Sequence, residues 1–191
     1  MSETVRLFIN GIEVEVDKGT TILEAARKIE VYIPTICFHP DLPAPNKTKS
    51  TEAVYRGSEK IQSDTSEMEF EGCKLCVVQV EGQEEPILAC CTPVSERMKV
   101  FTETKQIQES RRAQLMRILA KHPHACLICA QKEGCTTEPC STNVPVDERC
   151  CPEFGKCELE RVAEYIGIRE DTSRYVPQNL QITESAPLFL R

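Results

Sequence analysis

The sequence predicts an α+β chain: a small sheet-and-helix unit in residues 1–103, then a helical, cysteine-rich segment in residues 104–191. Three observations predict it. Two alternating apolar runs flank Asn10-Gly11, a capped amphipathic segment follows them, and twelve cysteines crowd a chain of 191 residues.

Val5, Leu7 and Ile9 alternate with polar positions, Ile12, Val14 and Val16 do the same, and Asn10-Gly11 between them is a two-residue hairpin signal. Thr21 with Glu24 three residues on forms a capping box, and Ile22, Ala25, Ala26 and Ile29 share one helical face, so a short helix packs across the hairpin. Residues 41–72 lose apolar periodicity and gain Pro43, Pro45 and many Lys, Ser, Thr and Glu, the composition of a surface insertion rather than a domain. Cys76-Val77-Val78-Gln79-Val80 and the run from Arg97 to Thr102 complete the first unit as strands. Its core is small, and bound metal is expected to help hold it together.

In the second segment, Ile107, Leu115, Ile118 and Leu119 line one side of a helix expected from Thr104 to Lys121, with Arg111, Arg112 and Arg117 on a solvated basic face. A second amphipathic helix carries Leu159, Val162, Ala163 and Ile166 and stops at Gly167.

Thirty acidic against 23 basic side chains give a net charge of −7, which opposes binding to nucleic acid or an anionic membrane surface. No run of 18 apolar residues exists to span a membrane, and the alternating N-terminus with Glu3 and Arg6 offers no signal peptide. The expectation is a cytoplasmic protein without membrane insertion. In a reducing compartment thiols stay free, so twelve cysteines point to metal rather than to a disulfide scaffold.

Cys37, Cys73, Cys76 and Cys90 give one isolated cysteine, a C-x2-C pair, and a fourth after 13 further residues. Four thiolates complete an iron–sulfur ligand shell, the close pair clasping one iron from a short loop. Zinc accepts four thiolates as well, and spacing alone leaves both metals open.

The sequence around these cysteines resembles the N-terminal part of the large iron–sulfur subunit of respiratory complex I, shared with NAD-linked hydrogenases and formate dehydrogenases. The resemblance rests on Ile33-Pro34-Thr35-Ile36-Cys37 with His39-Pro40-Asp41-Leu42, on Gly72-Cys73-Lys74-Leu75-Cys76 running into Val77-Val78-Gln79-Val80-Glu81-Gly82, and on Cys90-Cys91-Thr92-Pro93-Val94. It implies a β-grasp ferredoxin-like domain whose four cysteines bind a [2Fe-2S] cluster. This chain places 35 residues between Cys37 and Cys73, many more than the family does, and the excess coincides with the insertion at 41–72. Lengthening such a loop costs little entropy, so all four ligands are retained. Cys91 stands where the family has a non-ligand and is read as a small buried hydrophobe. His39 is read as a loop hydrogen-bonding residue.

His122, Cys126 and Cys129 have the H-x3-C-x2-C spacing of the family's His-ligated [4Fe-4S] site. A neutral imidazole in place of a thiolate removes a negative charge from the shell and should raise the potential. Two cysteines compete for the last ligand. Cys135 keeps the five-residue gap after Cys129, whereas Cys157 keeps the setting, at the opening of a helix that leads to Asp171-Thr172-Ser173-Arg174-Tyr175. Cys157 is favoured. An insertion at about 135–156 then brings Cys135, Cys140, Cys150 and Cys151, which suggest a second [4Fe-4S] cluster, with zinc or free structural thiols as alternatives.

No G-x-G-x-x-G or P-loop motif is present, so nicotinamide and flavin are expected on a partner subunit and no catalytic residues are assigned here. The resemblance implies an electron-transfer subunit relaying between a flavin/NAD(P)H-binding partner and further iron–sulfur or catalytic subunits of a multisubunit oxidoreductase, complex I-like, hydrogenase-like or electron-bifurcating. A zinc-stabilised protein-interaction module is the alternative.

Overall fold

Alternating side chains at the N-terminus form a hairpin because that pairing puts Val5, Leu7, Ile9, Val14 and Val16 on one buried face. Strands β1 (Thr4–Ile9) and β2 (Ile12–Asp17) pair antiparallel, with Val5 opposite Val16 and Leu7 opposite Val14. Asn10 and Gly11 both have positive φ, 51° and 84°, as a type I′ turn requires. The structure, a computed structural model, describes residues 3–42, 50–62, 72–120, 122, 157–168, 172 and 188–189.

Helix α1 (Ile22–Lys28) starts on the expected capping box. Glu24 N–H donates to the Thr21 hydroxyl at 3.3 Å, and Thr21 N–H donates to the Glu24 carboxylate at 2.8 Å. Ile22, Leu23, Ala25 and Ala26 are wholly buried and form one core with Val5, Leu7, Ile9, Val14, Val16, Val78 and Val100.

The insertion is not structureless. After the two-residue strand β3 (Ser50–Thr51), strands β4 (Ala53–Arg56) and β5 (Glu59–Gln62) form a second hairpin with Val54 opposite Ile61. Gly57, at φ 63°, opens its two-residue turn as a type II′ turn demands.

Strands β6 (Val77–Val80), β7 (Ile87–Leu88) and β8 (Lys99–Phe101) complete a five-stranded mixed sheet in the order β2-β1-β8-β6-β7. β8 lies parallel to β1 and antiparallel to β6. Asn10 secures that seam: its carboxamide oxygen accepts from Thr102 N–H at 2.9 Å and its NH₂ donates to the Thr102 hydroxyl at 2.8 Å.

The chain divides into two units, Met1–Thr102 with Asn179–Arg191, and Glu103–Gln178. The C-terminal segment enters the first through β9 (Leu188–Phe189), which pairs antiparallel with β3. In the second, α2 (Lys105–Leu119) begins where the Thr104 hydroxyl accepts from Ile107 N–H, and α3 (Glu158–Ile166) ends at Gly167, φ 81°. α3 buries Leu159, Val162, Ala163 and Ile166.

The expectation for the basic face of α2 is corrected at Arg111. Its buried stripe is Ile107, Arg111, Leu115 and Leu119, and Arg111 is only 1% exposed. Four-residue spacing sets Arg111 between Ile107 and Leu115 on one face. Burial of the charge is met by Glu103, whose carboxylate lies 3.1 Å from the guanidinium. The Tyr165 hydroxyl donates to the same carboxylate, and burial followed by that negative charge pushes the Tyr165 pKa up to about 12. Arg112, half-buried, donates from Nε to the Ile166 carbonyl at 3.3 Å.

Candidate metal centre

The loops bearing the first cysteine set are shaped by backbone rather than by side chains. Gly72 and Lys74 both take left-handed φ, 74° and 53°, so the chain bends on either side of Cys73 while Leu75 anchors the bend in the interior. Glycine adopts such a conformation freely, and lysine does so at some cost. The bend gives way directly to β6, so Cys76 leaves a rigid strand end. On the opposite loop, Ile22 N–H donates to Thr92 O and Leu23 N–H to Ala89 O, each at 3.0 Å. The first turn of α1, whose amide donors have no partner within the helix, thereby clamps the chain on both sides of Cys90.

The four cysteines come together as two pairs. Cys73 N–H donates to Cys37 Sγ at 3.3 Å, and Cys76 Sγ and Cys90 Sγ are 3.3 Å apart. Cys73, Cys76 and Cys90 are buried and Cys37 is half-buried. None of the described cysteines is in a disulfide. Among the described residues no three His, Cys, Asp or Glu side chains surround one point as a single metal ion would need. Pairs of sulfurs suit a two-iron cluster, which takes its protein ligands two to an iron.

The electrostatics of each pair are asymmetric. Cys73 is pulled down to about 5, first by the Cys37 thiol and then by the backbone N–H groups of Ile36 and Leu75 and the Thr35 hydroxyl, which together outweigh burial. Thr35 is itself buried, its hydroxyl 3.9 Å from Cys73 Sγ. Cys37 is pushed up by that same pairing and by burial. The second pair repeats the pattern: Cys76 is lowered chiefly by Cys90, and Cys90 is raised chiefly by Cys76. Each pair therefore holds one thiolate readily and resists a second. Amide and hydroxyl groups directed at sulfur, with a positive iron to take the remaining charge, are what a cluster-ligating thiolate needs, so these residues fit a [2Fe-2S] group.

His39 behaves as expected of a loop residue: its Nδ1 accepts from Asp41 N–H at 3.2 Å. Cys157 occupies the N-cap of α3, half-buried, without a side-chain capping bond. His122 N–H donates to Leu119 O at 3.2 Å, just beyond the end of α2. Cys126, Cys129, Cys135, Cys140, Cys150 and Cys151 lie outside the described residues. Sequence reasoning missed the closeness of Cys91 to Cys90, 3.4 Å between sulfurs, and the Arg27 guanidinium 4.6 Å above the Phe38 ring beside Cys37. Neither has a signal in residue spacing, since both depend on how turns orient neighbouring side chains.

Residues 2–105 match the family of 2Fe-2S iron–sulfur cluster binding domains. The chain belongs to that family. Relatives of this 2Fe-2S protein include the NADH-ubiquinone oxidoreductase 75 kDa subunit of Reclinomonas americana, 31% identical over 131 residues, 69% of this chain and 15% of the relative. The NADP-reducing hydrogenase subunit HndD of Solidesulfovibrio fructosivorans is 31% identical over 164 residues, 86% of this chain and 21% of the relative. This 2Fe-2S chain thus spans about a fifth or less of the curated relatives it matches. Among solved structures, an NAD+-reducing [NiFe]-hydrogenase in the H2-reduced state shares the fold, at a TM-score of 0.57, 20% identity, and coverage of 92% of this chain and 54% of the other. Among the described residues no helix is long and apolar enough to cross a membrane.

Proposed function

We propose that this 2Fe-2S protein is an electron-relay subunit, passing single electrons between a flavin/NAD(P)H-binding partner and further iron–sulfur or catalytic subunits of a multisubunit oxidoreductase. The observation that carries the reading is the convergence of Cys37 with Cys73 and of Cys76 with Cys90 inside a family-matched [2Fe-2S] domain. We assign those four as its ligands and read residues 1–103 as a β-grasp ferredoxin-like domain with an insertion at 41–72. When bound, the cluster supplies a one-electron redox centre. Buried Cys73, Cys76 and Cys90 would hold it out of solvent, and the backbone donors facing the Cys37 and Cys73 sulfurs would help set its potential.

In residues 104–191 we assign His122, Cys126, Cys129 and Cys157 to a [4Fe-4S] cluster, and Cys135, Cys140, Cys150 and Cys151 to a second. The placement of Cys157 at the start of a helix with an apolar buried face supports its choice over Cys135, since a helix N-terminus stabilises a thiolate. Relatives that are subunits of an NADH-ubiquinone oxidoreductase and an NADP-reducing hydrogenase support a role beside a nicotinamide-handling subunit, in a complex I-like, hydrogenase-like or electron-bifurcating assembly. Affinity purification of the native protein under anaerobic conditions tests this. A copurifying flavoprotein able to reduce this chain with NAD(P)H is expected; a chain that purifies alone and accepts no electrons from such a protein overturns the proposal.

A further inference from the structure

Cys91 is the one cysteine with no cluster role so far. Neighbouring side chains in an extended chain diverge, yet the sulfurs of Cys90 and Cys91 stand 3.4 Å apart. A tight turn forces this. Cys91 N–H and Thr92 N–H both donate to Leu88 O, at 3.2 and 3.1 Å, and the Thr92 hydroxyl donates to the same carbonyl at 2.8 Å. The turn is fixed in turn by α1, through Ile22 N–H to Thr92 O and Leu23 N–H to Ala89 O, and by Val94 N–H to Thr20 O. Cys91 is half-buried and packs against the core. The closeness of the two sulfurs is therefore imposed by a backbone anchored in the interior.

In the free thiols either sulfur could donate in this contact. Once Cys90 binds iron, as the reading above has it, its sulfur carries no proton and can only accept. We propose that Cys91 is a positioning residue for electron transfer: its thiol donates an S–H···S hydrogen bond to the cluster sulfur of Cys90 and raises the reduction potential of the [2Fe-2S] centre. The physical basis is that reduction adds negative charge which ligand sulfurs share, and a hydrogen bond to sulfur stabilises that charge. A buried hydrophobe of the same size would fill the space without this effect.

The test uses the full chain purified anaerobically, with the midpoint potential of the [2Fe-2S] signal read by EPR-monitored redox titration. Cys91→Ala and Cys91→Val, which lack a donor, are expected to lower the potential, and Cys91→Ser, which keeps one, to restore it toward that of the unsubstituted protein. The exchangeable-deuteron couplings to the cluster should lose one component in Cys91→Val, while those from the amide and Thr35 hydroxyl groups facing the Cys37 and Cys73 sulfurs stay. Equal potentials in all four proteins, or a serine variant as low as the alanine and valine variants, would overturn the proposal. So would loss of the signal in all three variants, which would make Cys91 a ligand. Absence of a [2Fe-2S] signal from the unsubstituted protein would instead sink the cluster reading itself.

Discussion

Leu23 links the fold to the centre, and its truncation gives the sharpest stability prediction. The side chain is wholly buried in the core, while its own amide holds Ala89 O next to Cys90. Leu23→Ala removes three buried carbons, about 2.4 kcal/mol in transfer at about 0.8 kcal/mol each. The cavity that incomplete collapse leaves behind brings the total to about 3–4 kcal/mol. Against a domain stability of about 5–15 kcal/mol that is a large fraction, and it corresponds to a fall of roughly 12 °C or more in Tm. Chemical denaturation of the cluster-free chain measures it, with Ile12→Ala as the control, since Ile12 is 50% exposed and its truncation should change stability by about 0.5 kcal/mol or less. A Leu23→Ala cost below about 1 kcal/mol, or one no larger than the control's, would refute the packing argument.

Other outcomes follow from the same structure. Thr21→Ala removes one half of the capping box and should cost about 1 kcal/mol, with Thr21→Ser nearly neutral, by denaturant titration. In the cluster-free protein the depressed pKa values of Cys73 and Cys76 make stability rise with pH from about 5 toward the ordinary thiol value of 9.0. The raised values of Cys37 and Cys90 reverse the sign above 9.0, because the unfolded thiols ionise there and the folded ones do not. Stability measured against pH should therefore peak near that value, and a monotonic curve would contradict the pairing. Glu103→Gln removes the carboxylate that accepts from Tyr165, so the tyrosine should titrate below about 12 by ultraviolet difference spectroscopy; an unmoved titration would mean burial alone sets it.

Sequence patterns gave access to whatever depends on period and local chemistry. The Asn10-Gly11 hairpin, the Thr21/Glu24 cap and the stop at Gly167 appear as read, because turns and caps are decided by a few adjacent residues. Arg111 was misplaced because a period-3.6 reading sorts residues by polarity, and burial of a charge depends on a partner, Glu103, that periodicity does not weigh. The second hairpin was legible in Gly57-Ser58 between Val54 and Ile61, but the polar composition around it masked the alternation. At the centre, spacing nominated four cysteines but set the close pair, Cys73 and Cys76, on one iron, whereas the structure places Cys73 beside Cys37 and Cys76 beside Cys90. That division depends on the left-handed bend at Gly72 and Lys74 and on α1 amides reaching the Cys90 loop, both products of the tertiary fold.

The proposed role of Cys37, Cys73, Cys76 and Cys90 is to hold a [2Fe-2S] cluster. Anaerobic purification of the Cys73→Ser and Cys76→Ser variants beside the unsubstituted chain, with iron and sulfide analysis and EPR, tests it most directly. The unsubstituted protein should give a [2Fe-2S] signal that each substitution abolishes or visibly alters. A colourless unsubstituted protein containing only stoichiometric zinc, or a [2Fe-2S] signal untouched by either substitution, would contradict it.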